Sequence, residues 1–218
     1  MDYVEARRYM VDGQVRPNKV TDARLLDAML TLPRERFVPQ GMADRAMVDG
    51  DLPLGEGRFL MQPMALARLV QLLNPRAGER VLVVAAGTGY GAAVLAEMGA
   101  EVVALESDVR LIDIARHALG GLPGLRLRLE QGDLAAGWPE AAPYDAILIE
   151  GAVPQVPEAI SSQLAEGGRL VTVLRPEGQT GRAVLGRRTG GAFSAVPAFD
   201  CQTERLPGFF APAGFVFA

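Results

Sequence analysis

"VLVVAAGTGYG", residues 81–91, is the stretch whose reading decides the fold of this 218-residue chain. A continuous β-branched run ends in glycines at alternate positions, Gly87, Gly89 and Gly91, and a helical pattern, "AAVLAEMG" (92–99), follows. A strand feeding a glycine turn and then a helix is the opening unit of a doubly wound sheet, in which ligands settle beyond the carboxyl ends of the strands. Glycine at such a turn lets the backbone approach a ligand and adopt positive φ at little steric cost. Structural turns also use glycines, so the loop has to be weighed with the strand ends beside it.

Downstream the pattern repeats. "EVVALE" (101–106) reads as a second strand, "VRLIDIARHALGG" (109–121) as a helix and "LRLRLEQGD" (125–133) as a third strand with period-two alternation. "YDAILIEGA" (144–152) reads as a fourth strand, "PEAISSQLAEGG" (157–168) as a helix and "RLVTVLR" (169–175) as a fifth strand. Strands alternating with helices and apolar on both faces predict a parallel α/β sheet with right-handed crossovers. Residues 176–218 lack a helical period, and "GRAVLGRR", "AFSAVPAFD" and "GFVFA" predict strands at an antiparallel edge. Upstream, "EARRYMVDGQV" (5–15), "TDARLLDAMLTL" (21–32) and "MALARLVQLL" (64–73) carry helical spacing, with Thr21 or Asp22 as a cap and Pro33 as a stop. "DLPLGEGRFLMQP" (51–63) reads as loop with one short extended piece.

The bulk composition narrows the function. Net charge −4, with 22 basic residues dispersed among 26 acids, leaves no footprint for nucleic acid and no basic run for a membrane surface. Apolar runs fall short of the roughly 18–20 residues of a membrane span. A single cysteine, Cys201, rules out an intramolecular disulfide and fits a reducing, cytoplasmic setting; it reads as a small hydrophobe rather than a nucleophile. A lone histidine, His117, sits on a helix face and excludes a multi-histidine metal site, so no metal is expected. No G-x-S-x-G elbow occurs.

Two acids stand at the strand ends next to the glycine loop. Glu106 closes the second strand 19 residues after Gly87, where an acid accepts hydrogen bonds from both hydroxyls of a ribose. Asp133 follows the third strand and can take the exocyclic amine of adenine. A P-loop would need G-x-x-x-x-G-K-[ST], and no lysine is near; a dinucleotide loop would need G-x-G-x-x-G, against Gly87-x-Gly89-x-Gly91 here. That spacing disfavours a nicotinamide oxidoreductase. S-Adenosylmethionine, which carries no phosphate, is the adenosyl ligand that fits. Glu150, ending the fourth strand, is a candidate proton acceptor or a strand-end acid bonded to backbone. Asp49 and Asp51 could line a substrate mouth or form turns, and Trp138 could stack on adenine or pack at a turn.

Several segments resemble the protein-L-isoaspartate O-methyltransferase family in order and spacing: "PRERFVP" (33–39), "DLPLGEGRFLMQP", "VLVVAAGTGYGAAVLA" (81–96), "VVALE", "GDLAAGW" (132–138), "APYDAILIEGA" (142–152) and "QLAEGGRLV" (163–171). The resemblance covers about residues 5–175; the last 40 residues match poorly. It implies a mostly parallel, seven-stranded, Rossmann-like methyltransferase sheet with an antiparallel C-terminal edge. Residues 1–74 would be a helical extension and substrate-side loop, and residues 75–218 the S-adenosylmethionine-binding domain. It implies methyl transfer to a carboxylate of damaged protein, with S-adenosylhomocysteine as product. The cofactor set would be Ala85, Gly87, Thr88, Gly89 and Tyr90 in the loop, Glu106 and Ser107 after the second strand, and Gly132 and Asp133 after the third.

Two departures touch that set. The family's loop opens with an acid before Gly-Thr-Gly-Ser-Gly-Tyr, where this chain has Val83 and then Ala85-Ala86-Gly87-Thr88-Gly89-Tyr90. The family's Gly-Gln-Thr-Ile-Ser-x-Pro reads Gly57-Arg58-Phe59-Leu60-Met61-Gln62-Pro63 here, so both hydroxyl positions are apolar. Arg58 reads either as a solvated loop arginine or as a group that meets an anionic substrate. The catalytic residue is left open, with Arg58 and Glu150 as candidates. An acceptor-altered or silent relative that binds an adenosyl ligand or a protein partner is the alternative function. The apolar tail "LPGFFAPAGFVFA" (206–218) could form an edge strand or a contact between copies.

Overall fold

The computed structural model describes residues 1–210. The chain begins with α1 (Tyr3–Met10), capped by Asp2, whose side chain accepts from Val4 N–H and Glu5 N–H. The expected helix over 5–15 is not uniform. After Met10 it widens into a π turn, Val11–Val15, and then tightens into a 3₁₀ turn, Arg16–Asn18. The wide turn brings Met10, Val11 and Val15 all into the core. Helix α2 (Ala23–Thr31) is capped by Asp22 and ends as Leu32 turns extended before Pro33.

Residues 51–63 hold two short strands rather than one extended piece. Strands β1 (Leu52–Gly55) and β2 (Arg58–Leu60) pair antiparallel, Leu52 opposite Leu60. Glu56 and Gly57 make the turn, both at positive φ (50° and 70°), which matches the twist of a two-residue hairpin. Helix α3 (Pro63–Leu73) starts on proline, whose missing N–H costs nothing at that position, and stops at Asn74 in the left-handed region.

The sheet then unfolds in the expected order: β3 (Arg80–Val84), α4 (Tyr90–Glu97), β4 (Glu101–Glu106), α5 (Val109–Gly120), β5 (Leu127–Gln131) and β6 (Tyr144–Val153). It continues with α6 (Glu158–Ser161), β7 (Leu164–Leu174), β8 (Arg182–Thr189) and β9 (Ala192–Asp200). Strand order is β5-β4-β3-β6-β7-β8-β9, parallel from β5 to β7 and antiparallel at β8 and β9. The expected α/β architecture, with its antiparallel C-terminal edge and N-terminal helices, is the one found. The helix expected over 157–168 is shorter. Gln163 bends back to donate to Ala136 and Ala159 carbonyls, Gly167 takes φ 75°, and β7 has already begun at Leu164.

Strand β3 shows why the run 81–84 is apolar without alternation. Val81 and Val83 join one buried cluster, which extends through Met10, Leu25, Phe37 and Leu66; Leu82 and Val84 join a second, with Val103, Ile147 and Leu170. Both faces are covered, as in parallel sheets generally. The chain order reverses between β3 and β6, so the switch point of the sheet lies at the end of β3, where the glycine loop begins. Of the expected tail, residues 206–210 are described: Leu206 is buried and Phe209 packs on the second cluster. "GFVFA" (214–218) lies outside the described residues.

Candidate active site at the carboxyl ends of the strands

The glycine loop turns as its residues require. Gly87 and Gly89 sit at φ 58° and 88°, and Ala85 is also forced to φ 61°. An alanine at positive φ is uncommon and strained, since its Cβ crowds the backbone. Gly91 needs no special φ, but a Cβ there would stand 2.9 Å from the Cδ of Glu150. The loop residues from Ala85 to Tyr90 are all buried by the chain itself. Thr88 donates its hydroxyl to the Phe37 carbonyl at 2.5 Å, which ties the loop to the motif at 33–39.

Glu106 ends β4 and turns its carboxylate back toward that loop, accepting from Gly87 N–H at 2.7 Å. It also accepts from the backbone N–H of Ser107 (2.8 Å) and of Asp108 (3.0 Å). The expectation that this acid stands free for a ribose needs correction. Arg58 reaches in from the β1–β2 hairpin and forms a bidentate pair, Nη1 to Oε1 at 2.5 Å and Nη2 to Oε2 at 2.7 Å. Both side chains are buried, with 6% and 0% of their area exposed. Arg58 is therefore neither a solvated loop arginine nor free to meet an anionic substrate. Its Nη2 also donates to the Ala85 carbonyl at 3.2 Å, while its Nε finds no partner among the described residues.

Asp133, one strand over after β5, is exposed and accepts from Ala135 N–H at 3.0 Å, closing its own turn. Gly132 donates to the Glu106 carbonyl, so the two acids stand at neighbouring strand ends. Trp138 is half-buried beside Gly132, its backbone N–H donating to Gln163 Oε1, and packs at the turn. Asp51 is a tether: it accepts from Gln62 N–H, Thr203 hydroxyl and Glu204 N–H, while Asp49 is exposed. Phe59 is half-buried and Met61 buried. Val83 lies wholly inside the apolar core. His117 is on the exposed face of α5, and Cys201 is a buried thiol that burial pushes up to about 11.

Sequence reasoning passed over Arg34. It is 1% exposed, donates Nε to the Ala46 carbonyl (2.8 Å) and Nη2 to the Met61 carbonyl (2.7 Å), and lies with its guanidinium carbon 4.6 Å from the centre of the Tyr90 ring. Burial pushes its pKa below the ordinary arginine value. An arginine inside the otherwise structural motif "PRERFVP" is the signal that could have singled it out. Glu150 is buried, within the charge influence of Arg34 and Arg58. Burial raises its pKa to about 8 against the pull of both arginines, and its Oε2 has no hydrogen-bond partner among the described residues. It is not the strand-end acid bonded to backbone amides that its position suggested.

A glycine loop at the switch point, with acids at the next two strand ends, is where a Rossmann-like open α/β sheet takes a ligand. The comparisons with known proteins give the family. The model for protein-L-isoaspartate(D-aspartate) O-methyltransferase (PCMT) matches residues 7–196. A protein-L-isoaspartate O-methyltransferase of Methylorubrum populi is 49% identical over 173 residues, covering 79% of this chain and 81% of the relative. Its counterpart in Methylorubrum extorquens is 46% identical over 194 residues, covering 89% and 85%. Among solved structures, a protein-L-isoaspartate O-methyltransferase superposes with a TM-score of 0.81 at 25% identity, covering 93% of this chain and 66% of that one. A Plasmodium falciparum protein described as a complex with S-adenosyl-L-homocysteine gives a TM-score of 0.74 at 18% identity, with 93% and 97% covered. This chain belongs to the protein-L-isoaspartate(D-aspartate) O-methyltransferase family. It is an O-methyltransferase, and its family's methyl donor is S-adenosylmethionine.

The fit of that donor is decided at Glu106. A carboxylate offers about four lone-pair sites, and Arg58 with three backbone N–H groups already supplies five hydrogen bonds. As arranged, the site does not fit a ribose diol on Glu106.

Proposed function

We propose that the acceptor is a carboxylate of a damaged protein, the stray α-carboxylate of an isoaspartyl residue, and that the reaction takes place at the carboxyl ends of β3, β4 and β6. The observation that carries this reading is the family match over residues 7–196, in a chain whose curated relatives bear the isoaspartate name and whose glycine loop stands at the sheet's switch point. Those relatives favour a working enzyme over a silent relative.

A carboxylate acceptor is already an anion at neutral pH, so the reaction depends on placement far more than on a general base. The two family hydroxyl positions are Phe59 and Met61 here, so they offer the acceptor no hydrogen bond. Residues 1–74 would close the substrate side, and residues 75–218 would carry the donor loop: Ala85, Gly87, Thr88, Gly89 and Tyr90, with Glu106, Ser107, Gly132 and Asp133. A cytoplasmic location, without nucleic-acid or membrane partners, is part of the same reading. It is supported by the dispersed charge, the single buried thiol, and the absence, among the described residues, of a helix long and apolar enough to cross a membrane. Contact between copies through the C-terminal segment also belongs to the proposal.

The test is transfer of radiolabelled methyl from S-adenosylmethionine to an isoaspartyl peptide, beside the same peptide carrying normal aspartate. Base-labile label on the isoaspartyl peptide alone is the expected result. Label on neither peptide, with donor binding intact, would sink isoaspartate as the acceptor.

A further inference from the structure

We infer that Arg58 is a built-in competitor for the donor's ribose, so that an adenosyl ligand engages Glu106 only when the β1–β2 hairpin withdraws from the crevice. The inference rests on the reading of Glu106 as the ribose acid. It concerns how that acid is made available.

The hairpin enters the site with two side chains. Leu52 and Leu54 alternate inward from β1, and the Leu54 Cδ1 lies 3.6 Å from where a Cβ on Gly87 would stand. A methyl group thus covers the face that glycine keeps clear for a ligand. Arg58 enters just after the turn and takes both carboxylate oxygens of Glu106 in the fork geometry that a ribose diol would otherwise supply. Ligand and arginine compete for the same lone pairs.

The pair is also built to part. A buried ion pair gives little net stability against a neutral replacement, but parting it strands the other charge, so Arg58 can leave only as another donor takes its place on Glu106. Buried donors in native structures are rarely left without a partner, yet Arg58 Nε has none among the described residues, which marks a guanidinium not fully accommodated where it sits. The way out is short. Gly55, Glu56 and Gly57, the residues immediately before Arg58, are all exposed. A long arginine on an exposed turn can place its charge in water once a ribose holds Glu106. The hairpin is clasped from outside by the tail: Pro207 Cγ lies 3.1 Å from the Cβ position of Gly57, and Thr203 and Glu204 are bonded to Asp51. Withdrawal therefore loosens residues 203–207 as well.

If only the withdrawn fraction binds, the measured dissociation constant is the intrinsic one divided by that fraction. Calorimetric titration of S-adenosylhomocysteine into the full chain, Arg58→Gln and Arg58→Lys tests this. Glutamine keeps a donor for Glu106 without the charge or the fork; lysine keeps the charge without the fork. The expected order of affinity is glutamine, lysine, arginine, with Arg58→Gln at least tenfold tighter than the unaltered chain. Hydrogen exchange of the unaltered chain is a second measurement, independent of any variant's folding: S-adenosylhomocysteine should speed exchange at residues 58–60 while slowing it at 85–91. Equal affinity for all three proteins, or weaker binding by Arg58→Gln with exchange at 58–60 unchanged, overturns the competition and leaves the donor reading standing. No binding by any of them at millimolar ligand overturns both.

Discussion

Glu150 shows how far burial can move a single residue from its sequence expectation. A carboxyl held near pKa 8 keeps its proton at neutral pH, mainly because burial penalises the charged form, while Arg34 and Arg58 pull the other way. In the unfolded chain the same group titrates at its ordinary value of 4.5. Between these two values the folded chain binds more protons than the unfolded one, so the contribution of Glu150 to stability falls as pH rises through that window. It is fully present below pH 4.5 and exhausted above about 8. The slope approaches about 1.4 kcal/mol per pH unit in the middle of the window. Glu150→Gln preserves the shape and removes the titration. Urea midpoints at pH 5, 6.5 and 8 should therefore fall for the unaltered chain relative to the variant, with the variant the more stable of the two at pH 8. Parallel profiles would show that Glu150 ionises in the folded chain as easily as in the unfolded one.

Helix α4 carries the same carboxyl's influence to the element scale. From Tyr90 to Ala96 every residue of α4 is buried, so the helix meets solvent only at its last residue, Glu97, and its position is set by what it packs against. At Gly91 the Glu150 carboxyl of β6 stands where a side chain would go. A glycine replaced by alanine within a helix ordinarily gains about 1 kcal/mol. Gly91→Ala should instead lose about 1–3 kcal/mol by overpacking. Gly91→Ala/Glu150→Ala should recover most of that loss, whereas Gly91→Ala/Glu150→Gln, which keeps the volume, should not. A double-mutant cycle from denaturant unfolding reads the coupling, and additive losses would dissociate the glycine from the acid. Elements of this kind were legible where apolar runs are long: β3, β4 and β6 announce themselves, and Glu106 falls at a strand end by counting. The hairpin at 52–60 was not, because strands of four and three residues carry too little periodicity to stand out among glycines and a proline. Arg58 was illegible for a related reason. Its partner lies 48 residues away in the chain, and a charged residue in a glycine-rich turn reads as solvated until the fold brings Glu106 to it.

At the scale of the whole molecule the two ends of the parallel sheet do different work. At the carboxyl ends lie the glycine loop, Glu106, Asp133 and the covering hairpin. At the amino ends a polar clamp joins elements that are distant in sequence. Arg169, midway along β7 and opposite Ala146 near the start of β6, donates to Glu79 Oε1 at 3.1 Å and Oε2 at 2.6 Å, to the Asn74 carbonyl at 2.6 Å and to the Asp145 carbonyl at 3.3 Å. It also donates to the Leu73 carbonyl, so one side chain holds the end of α3, the entry to β3 and the entry to β6. Arg169 and Glu79 are 12% and 16% exposed, which leaves their attraction only partly screened. Burial works against Glu79, yet the bond from Arg169 holds its carboxyl below the usual range. Removing one member of such a pair leaves the other charge half-buried and unpaired. Arg169→Ala should cost about 2–4 kcal/mol of unfolding free energy, less than the upper end for a fully buried pair because some water reaches the site. Its affinity for S-adenosylhomocysteine, measured well below its unfolding temperature, should stay within about twofold of the unaltered chain, because no contact of Arg169 reaches the glycine loop or the hairpin. A large loss of affinity in a folded Arg169→Ala protein would mean that the amino-end clamp sets the geometry of the crevice across the full length of the strands.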